Sequence, residues 1–161
     1  RDVDPAHPEL QAHRPTSWTL ALRRDTHAWR LGIDLHHTTA DLAEIGGSST
    51  VSTASVLASW GVGAEVARRI AGQPGTARLF AAIGATVDRW TFDLADNSPR
   101  RRVAARGAIE AEFPIGSGWS ATTRGEVSRG PSVFKADELP DGFTTRTATR
   151  LGIVLGVARR W

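Results

Sequence analysis

Residues 51–70, VSTASVLASWGVGAEVARRI, and residues 77–94, ARLFAAIGATVDRWTFDL, are the stretches whose reading decides the fold class. In the second, Phe80, Ile83, Val87, Trp90 and Leu94 recur at steps of three and four, the spacing of one apolar face on an amphipathic helix. In the first, Val56, Trp60, Ala64, Ala67 and Ile70 fall near one helical face. Gly61 and Gly63 would weaken that helix by about 1 kcal/mol each relative to Ala. Ala71-Gly72-Gln73-Pro74-Gly75 is suited to end it, and Thr76 is placed to cap the next. The spacing therefore predicts a central helical hairpin, close-packed at its Ala and Gly positions.

The flanks alternate with a period of two. Trp18, Leu20 and Leu22, followed by Trp29, Leu31, Ile33 and Leu35, read as a hairpin whose loop must have an even number of residues to put both apolar sets on one face. The reading that opposes Leu22 to Trp29 sets the turn at Arg24–His27 or, tighter, at Asp25–Thr26. Thr38 and Asp41 have capping-box spacing for a short helix ended by Gly46-Gly47-Ser48-Ser49. Beyond a break at Asp96–Pro99, Val103, Ala105, Gly107, Ile109, Ala111 and Phe113 share one face, with Arg106, Glu110 and Glu112 on the other. Pro114–Gly118 turns the chain into a strand at Trp119–Val127, and Ser128–Pro131 into a brief segment at Ser132–Lys135. From Phe143 to Val157 runs the longest alternation, apolar on nearly both faces in its second half, as a covered central strand would be. Apolar faces are taken as core, and Arg106, Arg124, Arg146 and Arg150 as outward. The expected architecture is one α+β domain over residues 16–161, an antiparallel sheet packed against the helical hairpin, preceded by an extended arm at residues 1–15.

Composition narrows the chemistry. The 161 residues include 19 Arg, one Lys (Lys135), no Cys, no Tyr and no Met, with a formal net charge of +3. A pI of about 10.8 follows from the scarcity of groups titrating between His and Arg, so it does not by itself indicate nucleic-acid binding. Residues 1–50 hold 5 basic and 7 acidic side chains, residues 51–97 hold 4 and 4, and residues 98–161 hold 11 and 6. Attraction for an anionic partner, nucleic acid included, would therefore reside in the last third. Without Cys there is no disulfide framework, thiolate metal site or cysteine nucleophile. No run of 18 uncharged apolar residues suggests a transmembrane helix. A first residue other than Met, with no Met elsewhere, fits a processed or trimmed product, a mature exported protein being one natural reading, or a domain cut from a longer chain, and the Arg-for-Lys bias with abundant Ala and Gly suggests a GC-rich bacterial genome.

Asp34, His36 and His37 form the most reactive-looking cluster. Asp34 and His36 project from one strand face, where i, i+2 spacing can bring a carboxylate and an imidazole onto one metal, while His37 points the other way. No third and fourth metal ligand can be identified, and no metal or other cofactor is expected. Arg100, Arg101, Arg102 and Arg106 supply charge for an anionic partner, and Trp119 follows a Gly-flanked loop suited to presenting an indole. Residues 53–72, with Gly61, Val62, Val66 and Ile70, are similar to a helix-turn-helix, departing from it at Leu57, where a small residue is usual. That resemblance implies DNA binding. Nucleotide-loop, dinucleotide, zincin, α/β-hydrolase and EF-hand signatures are missing.

The leading expectation is a secreted, non-enzymatic protein that binds a macromolecular or cell-envelope partner in an antibacterial or assembly setting. The competing class is a toxin-like nuclease or hydrolase built on His36 and His37 with nearby arginines, and the third is a helix-turn-helix DNA binder. The expected setting is extracellular or exported, and otherwise cytoplasmic.

Overall fold

In the computed structural model of the protein, residues 9–45, 51–92, 99–132 and 147–159 are described. They form seven strands: β1 (Glu9–Thr26), β2 (Trp29–Ile45), β3 (Val51–Ala71), β4 (Arg78–Phe92), β5 (Arg100–Gly116), β6 (Trp119–Gly130) and β7 (Ala148–Arg159). Each pairs antiparallel with its chain neighbour in one sheet of order β1-β2-β3-β4-β5-β6-β7. No helix occurs among the described residues, so the fold is all-β and the expected α+β architecture is overturned.

The two stretches expected to be helices are β3 and β4. In β3 the alternation Trp60, Val62, Ala64, Val66 puts one set on the exposed face, while Ser59, Gly61, Gly63, Glu65 and Ala67 lie on the buried one. In β4, Phe80 and Trp90 are buried whereas Ile83 and Val87 are exposed, so the helical stripe is split between two faces. Ala obscured the period, because it fits either side of an apolar or polar pattern. Between the strands, Gly72 and Gly75 take positive φ (84° and 85°), and the Thr76 hydroxyl accepts from the Gln73 amide at 3.0 Å, so the expected cap closes a β-turn. The short helix expected after Thr38 is the continuation of β2.

The first hairpin keeps the predicted parity but not the register. Its two-residue loop is His27-Ala28, and Leu22 opposes Ile33, Leu20 opposes Leu35 and Trp18 opposes His37. β5 and β6 match the expected alternation, joined by a tight turn at Ser117-Gly118, both at positive φ. Residues 9–15, expected in the extended arm, belong to β1. β7 is not the central strand expected of it: among the described residues it pairs with β6 alone and forms an edge. The Gly46–Ser49 linker, most of the Asp96–Pro99 break, Phe143–Arg146 and all but the first residue of Ser132–Lys135 lie outside the described residues.

Long-range side-chain contacts curl the sheet into a half-barrel. Arg23 on β1 donates to Glu110 on β5 at 2.8 Å, four strands away, a separation of about 19 Å across a flat sheet. Arg30 on β2 likewise reaches Glu110 and Glu112 on β5, at 2.8 and 2.6 Å. The concave side is therefore the charged one. The sequence-based assignment of inside and outside is reversed: Arg106 and Arg124 are buried, whereas Leu151, Ile153 and Leu155 are 79%, 82% and 78% exposed.

Candidate functional site: a charged concavity inside an apolar wall

Alternation is what sorts these residues. Along β2, Arg30, Gly32, Asp34, His36, Thr38 and Ala40 face the concavity, and Leu31, Ile33, Leu35 and His37 face out. Each further strand adds its own inward set, and the curl brings sets from separate strands into contact.

A continuous series of opposite charges runs along the concave face. Asp88 Oδ1 lies 2.8 Å from His36 Nε2, and Asp34 Oδ1 lies 3.1 Å from His36 Nδ1. Both ring nitrogens donate when the imidazole is protonated, which leaves neither available to a substrate. Arg106 donates to both Asp34 oxygens and, at 3.1 Å, to Glu65 Oε2. Arg124 spans Glu65 at 2.6 Å, Glu126 at 3.2 Å and Glu110 at 3.4 Å. From Glu110 the series continues through Arg30 to Asp25 and Glu112, which Arg78 joins at 2.9 Å each. Backbone closeness makes room for it: a Cβ on Gly63 would lie 2.6 Å from Asp34 Oδ2, and one on Gly61 2.6 Å from His36 Cε1. Apart from Asp25 and Glu126 these groups are buried, and they neutralise one another, since an isolated charge there would carry a large desolvation cost. The Arg30 guanidinium also lies 3.8 Å from the centroid of Phe80, which packs with Ala67, Ala82 and Ala108.

The convex face carries the complementary set. Its central positions are uncharged on all seven strands, and aromatic residues gather toward both ends. Trp18, His37 and Trp60 cluster, with His37–Trp60 and Trp18–Trp60 centroids 4.5 and 5.3 Å apart. At the end holding the short turns, Arg68 lies over Trp29 at 5.7 Å and Arg159 over Trp119 at 5.6 Å. The band crosses the strands obliquely. Following the pairing from Arg68 leads to Ala81, Ile109, Gly125 and Ile153, yet the charged residue ending the band on β7, Arg159, lies beyond Leu155 and Val157. That offset corresponds to a strand tilt of roughly 40°, as in closed barrels.

The candidate residues are divided between these faces. Asp34 and His36 meet on the concave face, and His37 stands on the convex one, so the two histidines do not share a pocket. Arg100, Arg102 and Arg106 face inward, Arg102 donating to the Ala148 carbonyl at 2.9 Å, while Arg101 and Trp119 face outward. Residues 53–72 lie in and just beyond β3, so the helix-turn-helix resemblance has no helical counterpart. No cluster of metal ligands occurs among the described residues. Sequence reasoning missed Arg30, Glu65, Arg78 and Asp88 as members of the charged series. Arg30 alternates with the apolar residues of a recognised strand, whereas Glu65, Arg78 and Asp88 fell on the two expected helices, where their strand period was not read. Comparison of the chain with protein-family models, curated proteins and solved structures finds no match.

Proposed function

We propose that this chain forms wall of a membrane-embedded β-barrel, with lipid against its convex face and a polar, ion-paired interior on its concave face. The observation that supports the reading is the convex surface itself: an uncharged band across seven strands, bordered at both ends by Trp and Arg. Exposed apolar area on this scale calls for a covering apolar medium, and aromatic girdles around an apolar band above a polar interior suit a bilayer. The band also has a suitable height. Val103 to Phe113 on β5 spans about 33 Å along the strand, or about 25 Å at that tilt.

No helix of the described residues is long and apolar enough to cross a membrane, which has no bearing on crossing by strands. This reading narrows the envelope partner expected from the sequence to a bilayer, and it gives the buried charges a barrel interior rather than a catalytic role.

The sequence has no Cys, so single cysteines can serve as reporters. In vesicles, cysteines replacing Ile33, Ile83 or Ile109 should resist a membrane-impermeant maleimide, and one replacing Thr76 in the turn should react once the vesicles are permeabilised. Equal labelling at all four sites, or a protein that stays monodisperse without detergent or lipid, would reject the proposal.

A further inference from the structure

Arg89, Arg101 and Arg129 are exposed on the convex face of the consecutive strands β4, β5 and β6. All three lie at the end opposite the short turns, beside the connections formed by residues 93–99 and 131–147. Arg129 opposes Ala105, four residues along β5 from Arg101, while Arg89 and Arg101 are direct cross-strand partners. Like charges so placed repel one another unless an anion lies between them. Neither they nor Arg129 makes an ion pair among the described residues, in contrast to Arg23, Arg30, Arg78, Arg106 and Arg124 of the concave face.

The surroundings sharpen the contrast. No carboxylate stands on the convex face of β4, β5 or β6 among the described residues, and the convex carboxylate nearest along this rim is Asp41 on β2. The opposite rim differs, because its outward arginines, Arg24, Arg68 and Arg159, are spread over β1, β3 and β7, and two of them lie over indole rings. Trp60 opposes Arg89, so the arginine group continues the aromatic row formed with Trp18 and His37. A Trp row marks the depth of lipid headgroups, and guanidinium is suited to bidentate contact with phosphate.

We infer that Arg89 and Arg101 bind the phosphate of an anionic lipid headgroup, with Arg129 adding positive charge along the same rim, in the leaflet on the side of the longer connections. The inference rests on the membrane reading above, with charge complementarity identifying the occupant. The test is lipid selectivity. The full chain is reconstituted in phosphatidylcholine vesicles with traces of spin-labelled phosphatidic acid or spin-labelled phosphatidylcholine, and the immobilised fraction of each label is measured. Insertion is followed separately by protection of a cysteine at position 109. The wild type should prefer phosphatidic acid by at least about fivefold, and R89Q/R101Q/R129Q should lower the preference to within about twofold of unity without changing insertion. R24Q/R68Q/R159Q should retain it. Equal association of both lipids, survival of the preference in the first triple variant, or its loss only in the second would overturn the site. A wild type that inserts in neither vesicle would instead overturn the membrane reading beneath it.

Discussion

His36 and His37 are neighbours in sequence with opposite surroundings. His36 is 5% exposed between Asp34 and Asp88, whereas His37 lies outward against Trp60. Replacing His36 by Leu strips Asp88 of the one hydrogen-bond partner described for it, and urea unfolding in micelles should register a loss of about 3–5 kcal/mol. Removing the stranded carboxylate as well, in H36L/D88L, should restore part of that loss, whereas His37→Leu should stay within about 0.5 kcal/mol. Equal costs for the two histidine variants would contradict the assignment of faces. The same residues show what was legible at this scale: alternation correctly put Asp34 and His36 together and His37 apart. It could not show that Asp88, 52 positions away, completes the site, because that contact depends on how β2, β3 and β4 stack.

Strands β5 and β6 were legible because their apolar and charged residues alternate strictly, as at Ile109, Glu110, Ala111 and Glu112. β3 and β4 were not, since Ala and Gly occupy positions on both faces and large residues alone suggested a helical step. Length contributed too, for β3 has 21 residues and exceeds ordinary strands, so it resembled a helix in extent. Strands this long suit a wall that crosses a bilayer and projects past it. The cost of a convex charge should therefore depend on its depth. Ile109→Arg in the middle of β5 should destabilise the folded barrel by about 2–4 kcal/mol, and Thr149→Arg at the rim of β7 by about 0–1 kcal/mol. Unfolding titrations in lipid vesicles would measure both, and a flat profile with depth would argue against lipid as the covering medium.

At the scale of the whole molecule, the charged series fastens strands that are not neighbours. Asp34 on β2 and Arg106 on β5 would stand about 14 Å apart in a flat sheet, yet they are bonded. A double-mutant cycle of Asp34→Asn and Arg106→Gln should therefore yield a coupling of at least about 1 kcal/mol, and additive effects would exclude the curl. Between β1 and β7 the described sheet remains open, and under the membrane proposal each of these edges would need a hydrogen-bonding partner. In β2, β5, β6 and β7 the sequence by itself determined which residues share a face, because side chains on a strand alternate whatever surrounds them. It determined equally that Leu151, Ile153, Leu155 and Val157 stand together, and that Arg106, Glu110 and Glu112 do. Which of the two faces lies inside was decided only by the tertiary structure. A two-residue period is unchanged when inside and outside are exchanged, and the direction of curl is set by contacts such as Arg23–Glu110 that join strands distant in the chain.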